Sequence, residues 1–247
     1  MDSFTDPHTD DCGVVELRQY TLRPGQRDAL IALFDREFVE TQEAVGITVI
    51  GQFRDLAAAD RFVWLRGFRD MAARLAGLSA FYGGPAWQAH RDAANATMID
   101  SDNVLLLRPA WPGSGLATNH RDRAAPGASA PRAGLLDASI FYLREPATDA
   151  LLALCRQLLA PRLIHGGAQR LGWYVSESAP NNFARLPVRE GEPVLVGLAL
   201  FQSPAAVEAF MAQGDWAHEA QARLDRWLAR PTERVRLVPT ARSAVHT

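Results

Sequence analysis

The order of apolar segments constrains this chain more than any single motif, because the same order occurs twice. Val14–Leu22 (VVELRQYTL) alternates well enough for a strand, and Pro24-Gly25 then turns the chain. Over residues 26–45, Leu30, Leu33, Phe34 and Phe38 recur at helical spacing until Gly46 intervenes. Residues 47–53 and 62–68 read as two strands joined by the plain loop DLAAAD. A helix follows from Asp70, a suitable N-cap, breaks at Gly83-Gly84-Pro85 and resumes with Pro85 in its first turn. Residues 104–107 close the unit as a fourth strand.

The second half runs through the same order: strand 136–143, helix 148–159, strands Arg170–Ser176 and Val194–Phe201, helix 204–228 and strand 234–238. Local matches support a repeat. Tyr20 and Tyr142 take the same place in the two first strands. Phe81 precedes Trp87 by the interval that separates Phe210 from Trp216, and His90 and His218 follow those tryptophans. Each half is then a βαββαβ, ferredoxin-like unit. The expected division is a first repeat at 13–109, an exposed Gly-, Pro- and Ala-rich linker at 110–134, and a second repeat at 135–240. One such unit leaves a sheet face bare. The expected fold class is therefore α+β, with two tandem repeats packing their sheets into a pseudo-symmetric barrel of the dimeric α+β type, helices outside.

Composition narrows the function by exclusion. A net charge of −2 gives no electrostatic case for nucleic acid. No apolar run approaches the roughly 18 residues of a membrane span, and the start MDSFTDPHTDDCG is polar, so a cytoplasmic protein is expected. The chain contains no lysine, which excludes Schiff-base chemistry, a pyridoxal-phosphate anchor and a Walker-type phosphate lysine. Cys12 and Cys155 form no metal-binding pair; Cys155 lies in the helical pattern LLALCRQLL and reads as core. No metal site and no cofactor are expected.

The segment at 178–193, SAPNNFARLPVREGEP, is long for a connection between two strands. Its three prolines, its apolar Phe183 and Leu186, and its polar Asn181, Asn182 and Arg185 suggest an ordered lid.

The stretches VVELRQYTLRPG, GQFRD and DRFVWLRGF, AFYGGPAWQAHRDAANATMIDSDNVLLLRP, and PNNFARLPVREGE resemble the NIPSNAP family across roughly residues 13–240. The resemblance implies tandem ferredoxin-like repeats of the dimeric α+β barrel kind. It implies less about activity: eukaryotic members are discussed as mitochondrial and adaptor proteins, and related barrels include cofactor-free monooxygenases, polyketide-tailoring enzymes, isomerases and haem proteins.

Among the residues themselves, Glu16, Arg18 and Tyr20 share one face of the first strand. Trp64, Arg66 and Phe68 on the third strand, and Gln52 with Ile50 on the second, are expected beside them. Arg18, to hold an anionic oxygen, and Tyr20 and His90, as acid or base, are the catalytic candidates. Glu16, Gln52, Trp64, Tyr82, Trp87, Asn181, Asn182 and Arg185 are the substrate-binding candidates. The bland alternatives are an interface pair for Glu16 and Arg18, a structural histidine for His90, and core packing for the aromatics. Two functions stand side by side. One is a cofactor-independent small-molecule enzyme of bacterial-type specialised or catabolic metabolism, working by proton transfer, cyclisation, isomerisation or oxygenation on an apolar or aromatic metabolite. The other is a non-catalytic ligand-binding or adaptor protein. Exposed edge strands would also accommodate a homodimer.

Overall fold

The structure, a computed structural model, describes residues 12–118, 120–213 and 215–247, without the side chains of 215, 217–219 and 221. The polar start at 1–11 and the side chain of His218 lie outside the described residues.

The first half runs β1 (Val14–Leu22), α1 (Arg27–Glu37), α2 (Val39–Glu43), β2 (Thr48–Asp55), β3 (Arg61–Phe68), α3 (Met71–Gly83), α4 (Pro85–Thr97) and β4 (Met98–Pro109). The second runs β5 (Leu135–Tyr142), α5 (Asp149–Leu154), α6 (Ala160–His165), β6 (Arg170–Ser176), β7 (Val194–Phe201), α7 (Pro204–Ala212), α8 (Asp215–Leu224) and β8 (Glu233–Pro239). Local chemistry sets several boundaries. The carboxylate of Asp70 accepts from Ala73 N–H to cap α3, and Gly84 ends α3 in extended conformation before Pro85 opens α4. A single π-helical turn at Cys155–Leu159 joins α5 to α6, so this helical stretch runs past the expected end at 159.

The eight strands of the described residues close one barrel, in the order β1-β3-β2-β8-β5-β7-β6-β4. Each half contributes its strands in the order fourth, first, third, second, and the halves meet where β2 pairs β8 and β4 pairs β6. Closure within one chain leaves no edge strand bare among the described residues, so the edge-strand reason for a second copy does not apply to them. Alternation along the strands separates three cores. Val15, Leu17, Val63, Leu65, Leu105, Ile140, Val196 and their neighbours fill the barrel interior. Val14, Leu22, Phe62 and Trp64 face outward under α1–α4, and Leu135, Phe141, Leu195 and Phe201 do the same under α5–α8.

Two features depart from the expected pattern. A one-residue bulge breaks the β2–β3 register between Val49 and Gly51. Ile50 is thereby turned into the barrel interior, whereas Gln52, opposite Trp64, faces the helices; the two do not share a face. Tyr142 likewise belongs to the barrel interior and Tyr20 to the helix side, so their matching places in the sequence are not matching places in the sheet.

The 110–134 segment is exposed over 125–131, but Ser114 and Leu116 are buried, Leu116 within the barrel core. Arg123 donates to Glu43 and to the Val49 carbonyl. The residues after β8 are buried as well: Ser243, Ala244 and Val245 are fully enclosed, and Val245 joins the barrel core. Gly51 makes room for them, because a Cβ there would lie 2.9 Å from Ser243 Oγ.

Candidate functional site

The outward face of β1 places Glu16, Arg18 and Tyr20 in a row beneath α3 and α4, and all three are buried. Glu16 is the centre of a cluster. Its Oε2 accepts from Arg18 Nη1 at 2.6 Å and from Arg66 Nε at 2.8 Å; its Oε1 accepts from Arg74 Nε at 2.7 Å. Second nitrogens of Arg66 and Arg74 also lie 2.7 Å from its oxygens. Burial alone would push the Glu16 carboxyl up. The three guanidiniums overcome that and hold it at about 2, so Glu16 is a carboxylate at any working pH. With both oxygens occupied, it has no capacity left for a substrate proton.

Among the described residues no second carboxylate contacts Arg18, Arg66 or Arg74. Three guanidiniums against one carboxylate leave a charge of +2 in a place where each side chain is 1% exposed or less. Arg18, Arg66 and Arg74 each also donate to neutral oxygens. Arg18 Nε donates to Tyr20 Oη at 2.9 Å, and Arg66 Nη1 to Gln42 Oε1 and Tyr82 Oη at 3.4 Å each. Arg74 Nη1 donates to the side-chain oxygens of Asn181 and Asn182 at 3.0 and 2.7 Å.

Those asparagines belong to the long loop between β6 and β7. Asn182 Nδ2 donates to the Met71 carbonyl at 2.6 Å, and Phe183 stacks on Tyr82 with centroids 5.9 Å apart. Leu186 and Val188 pack on the same core. The second half thus closes the first half's helix–sheet layer. At its other end the loop is tied to the barrel mouth, where Arg189 donates to Tyr142 Oη and pairs with Glu192.

Above the cluster lies a cavity of about 30 Å³. Phe34, Phe38, Phe81 and Trp87 give its aromatic walls, and Tyr20, Gln42, Trp64 and Tyr82 its polar positions. Arg66 sits 5.1 Å from the Trp64 ring and 5.8 Å from that of Tyr82; Arg18 sits 5.7 Å from Trp64. Burial raises the Tyr20 phenol above its ordinary range despite the pull of Arg18, so it holds its proton near neutrality.

The structure therefore gathers Glu16, Arg18, Tyr20, Trp64, Tyr82, Trp87, Asn181 and Asn182. It does not bring the remaining candidates there. His90, on α4, pairs with Glu37 at 3.3 Å against the edge of Phe38 and does not line the cavity. Gln52 donates to Asp35 Oδ1 at 3.3 Å under α1. Arg185 is exposed on the loop. Arg74 escaped the sequence reading. Its signal is the stripe Arg74, Gly77, Leu78, Phe81 and Tyr82, in which a basic residue occupies an otherwise buried helix face.

Residues 15–111 match the sequence profile of the NIPSNAP family. The first half of the chain carries a NIPSNAP domain. That domain holds every cavity-lining residue and the whole of the charged cluster; the residues of the loop that closes it lie outside the match. No curated protein matches the chain. Among solved structures, one from Fusobacterium nucleatum, provisionally described as a monooxygenase, has TM-score 0.60 and 9% identity over 92% of each chain. A second provisional monooxygenase, from Lactobacillus acidophilus, has TM-score 0.56 and 12% identity over 92% of this chain and 93% of its own. An anthrone oxidase-like protein has TM-score 0.53 and 13% identity over 96% and 97%. At these identities the likeness is one of fold: the whole chain, not the NIPSNAP domain alone, has the closed α+β barrel of these proteins.

Proposed function

We propose that this chain is a small-molecule enzyme of the cofactor-independent kind, acting on a largely apolar or aromatic metabolite held between sheet and helices of the NIPSNAP domain. Two tandem ferredoxin-like repeats supply the scaffold, a reading supported by the same strand order in both halves. One observation carries the functional reading: an aromatic-walled cavity sits directly on a buried group of charge +2. Burying uncompensated charge is costly, and a ligand that brings or develops negative charge on oxygen offsets that cost. Proton transfer, isomerisation, cyclisation and oxygenation at a carbon beside a carbonyl or phenol all pass through such charge. Arg18 and Arg66 would stabilise it, and Tyr20, which keeps its proton, would donate a hydrogen bond or that proton. The second half's asparagines and Phe183 would close the site.

The cavity has room for about one water-sized group. A metabolite therefore enters only if its half-buried wall, Trp87 and Met98, moves with the loop above it. The test is mass spectrometry of small molecules retained through native purification, for the wild type and for Met98→Trp, which fills that wall. An apolar or aromatic compound present in the wild type and lost from the variant is expected. Equal retention by both proteins would place the compound elsewhere and end this reading.

A further inference from the structure

Donors and acceptors at the polar end of the cavity do not balance. Tyr20 Oη accepts from Arg18 and Tyr82 Oη accepts from Arg66, and neither phenol proton has an acceptor among the described residues. Trp64, 2% exposed and part of the lining, likewise has no acceptor for its Nε1–H among the described residues. Gln42, the remaining polar lining residue, commits its Oε1 to Arg66 and one N–H to the Phe38 carbonyl. Buried donors of native proteins nearly always find a partner. Here three unspent donors belong to residues that line one cavity, and the Arg18 and Arg66 guanidiniums contact those same residues. The Tyr20 and Trp64 rings meet edge to face with centroids 6.1 Å apart, so the grouping is compact.

We infer that Tyr20, Tyr82 and Trp64 form an oxyanion-binding site, which takes one oxygen of a ligand bound or formed as a carboxylate, phenolate or enolate. The inference rests on the reading of the cavity as the ligand site and adds the charge class of the ligand. Arg18 and Arg66 act through the three donors: each guanidinium polarises the phenol it contacts and neutralises the incoming charge without lining the cavity. Arg74 has a different part, since it joins Glu16 to the closing loop. The site distinguishes ligands by charge more than by shape, because the same donors give a neutral carbonyl only ordinary hydrogen bonds.

The probe is 4-nitrophenol, whose yellow phenolate reports its own ionisation near neutral pH. It is titrated free and with saturating protein, alongside calorimetric binding of benzoate and benzamide. Bound 4-nitrophenol is expected to ionise at least one pH unit lower than in solution, a roughly tenfold preference for the anion; benzoate is expected to bind tighter than benzamide. Tyr20→Phe and Tyr82→Phe keep the rings and remove one donor each, and should each weaken the preference roughly tenfold. If either variant fails to fold, the other and the wild-type titration still decide. Suppose instead that the probe binds, is blocked by Met98→Trp, and ionises as it does in solution: the oxyanion site is then wrong and the cavity reading stands. If none of the three compounds binds the wild type, both fall.

Discussion

Replacing Glu16 by Gln tests the imbalance of charge on which the site depends. The substitution keeps shape and removes the single anion facing Arg18, Arg66 and Arg74. Breaking a buried pair in this way costs about 3–5 kcal/mol, because the surviving charge is stranded. The titration of Glu16 gives an independent figure. Its carboxyl is held at about 2 instead of 4.5, first against burial and then by Arg66, Arg18 and Arg74. At about 1.4 kcal/mol per pH unit, the difference corresponds to about 3 kcal/mol. Since the folded-state value is the lower one, this stability is fully present above pH 4.5 and is lost as pH falls toward about 2. The contrasting variant is Arg66→Met. It removes a cation while leaving Glu16 with two partners, and should cost no more than about 2 kcal/mol. Urea denaturation at neutral pH gives both values, with an unchanged m-value as the check that the unfolded state is the same. Repeating it at acid pH should show the wild type losing stability that Glu16→Gln no longer has. Equal costs for the two variants, or a cost below about 1 kcal/mol for Glu16→Gln, would refute the charge argument.

Two further outcomes follow from the same chemistry. Burial pushes the Asp35 carboxyl up to about 6 from 3.8 despite Arg242, so its contribution to stability is full below 3.8 and is lost as pH rises through about 6. Asp35→Asn should therefore be more stable than the wild type above about pH 7, by up to about 3 kcal/mol, in thermal melts across pH; parallel pH profiles would remove Asp35 as the cause. Phe183→Ala deletes the ring that stacks on Tyr82 and should cost about 3 kcal/mol. It should also raise proteolytic cleavage within 178–193, and unchanged cleavage would mean that the loop is held by its other contacts alone.

Much of this arrangement was legible in the residues. Alternation in VVELRQYTL puts Glu16, Arg18 and Tyr20 on one face, and the length of the 178–193 loop marks it as more than a connection. Three things were not legible, each for a physical reason. The bulge at Ile50–Gly51 reverses side-chain direction within one strand, and simple alternation cannot register an inserted residue. Tyr20 and Tyr142 look equivalent because a one-residue offset is invisible in an ungapped comparison, yet it sends a side chain to the opposite face of a sheet. His90 follows its tryptophan at helical spacing, but that spacing does not tell the rim of a helix from the wall of a cavity. Arg74 was readable in principle: an arginine at the spacing of Leu78 and Phe81 is either an error of assignment or a buried charge with a partner.

The clasp between Arg74 and the two asparagines also bears on the order in which the molecule is completed during translation. When Pro109 leaves the ribosome, every strand and helix of the NIPSNAP domain has been made, but Arg74 lacks two of its acceptors and Tyr82 lacks its stacking ring. More than seventy residues must still be added before Asn181, Asn182 and Phe183 appear. Until then the cationic interior lacks part of its seal, which is encoded in the second half of the same message.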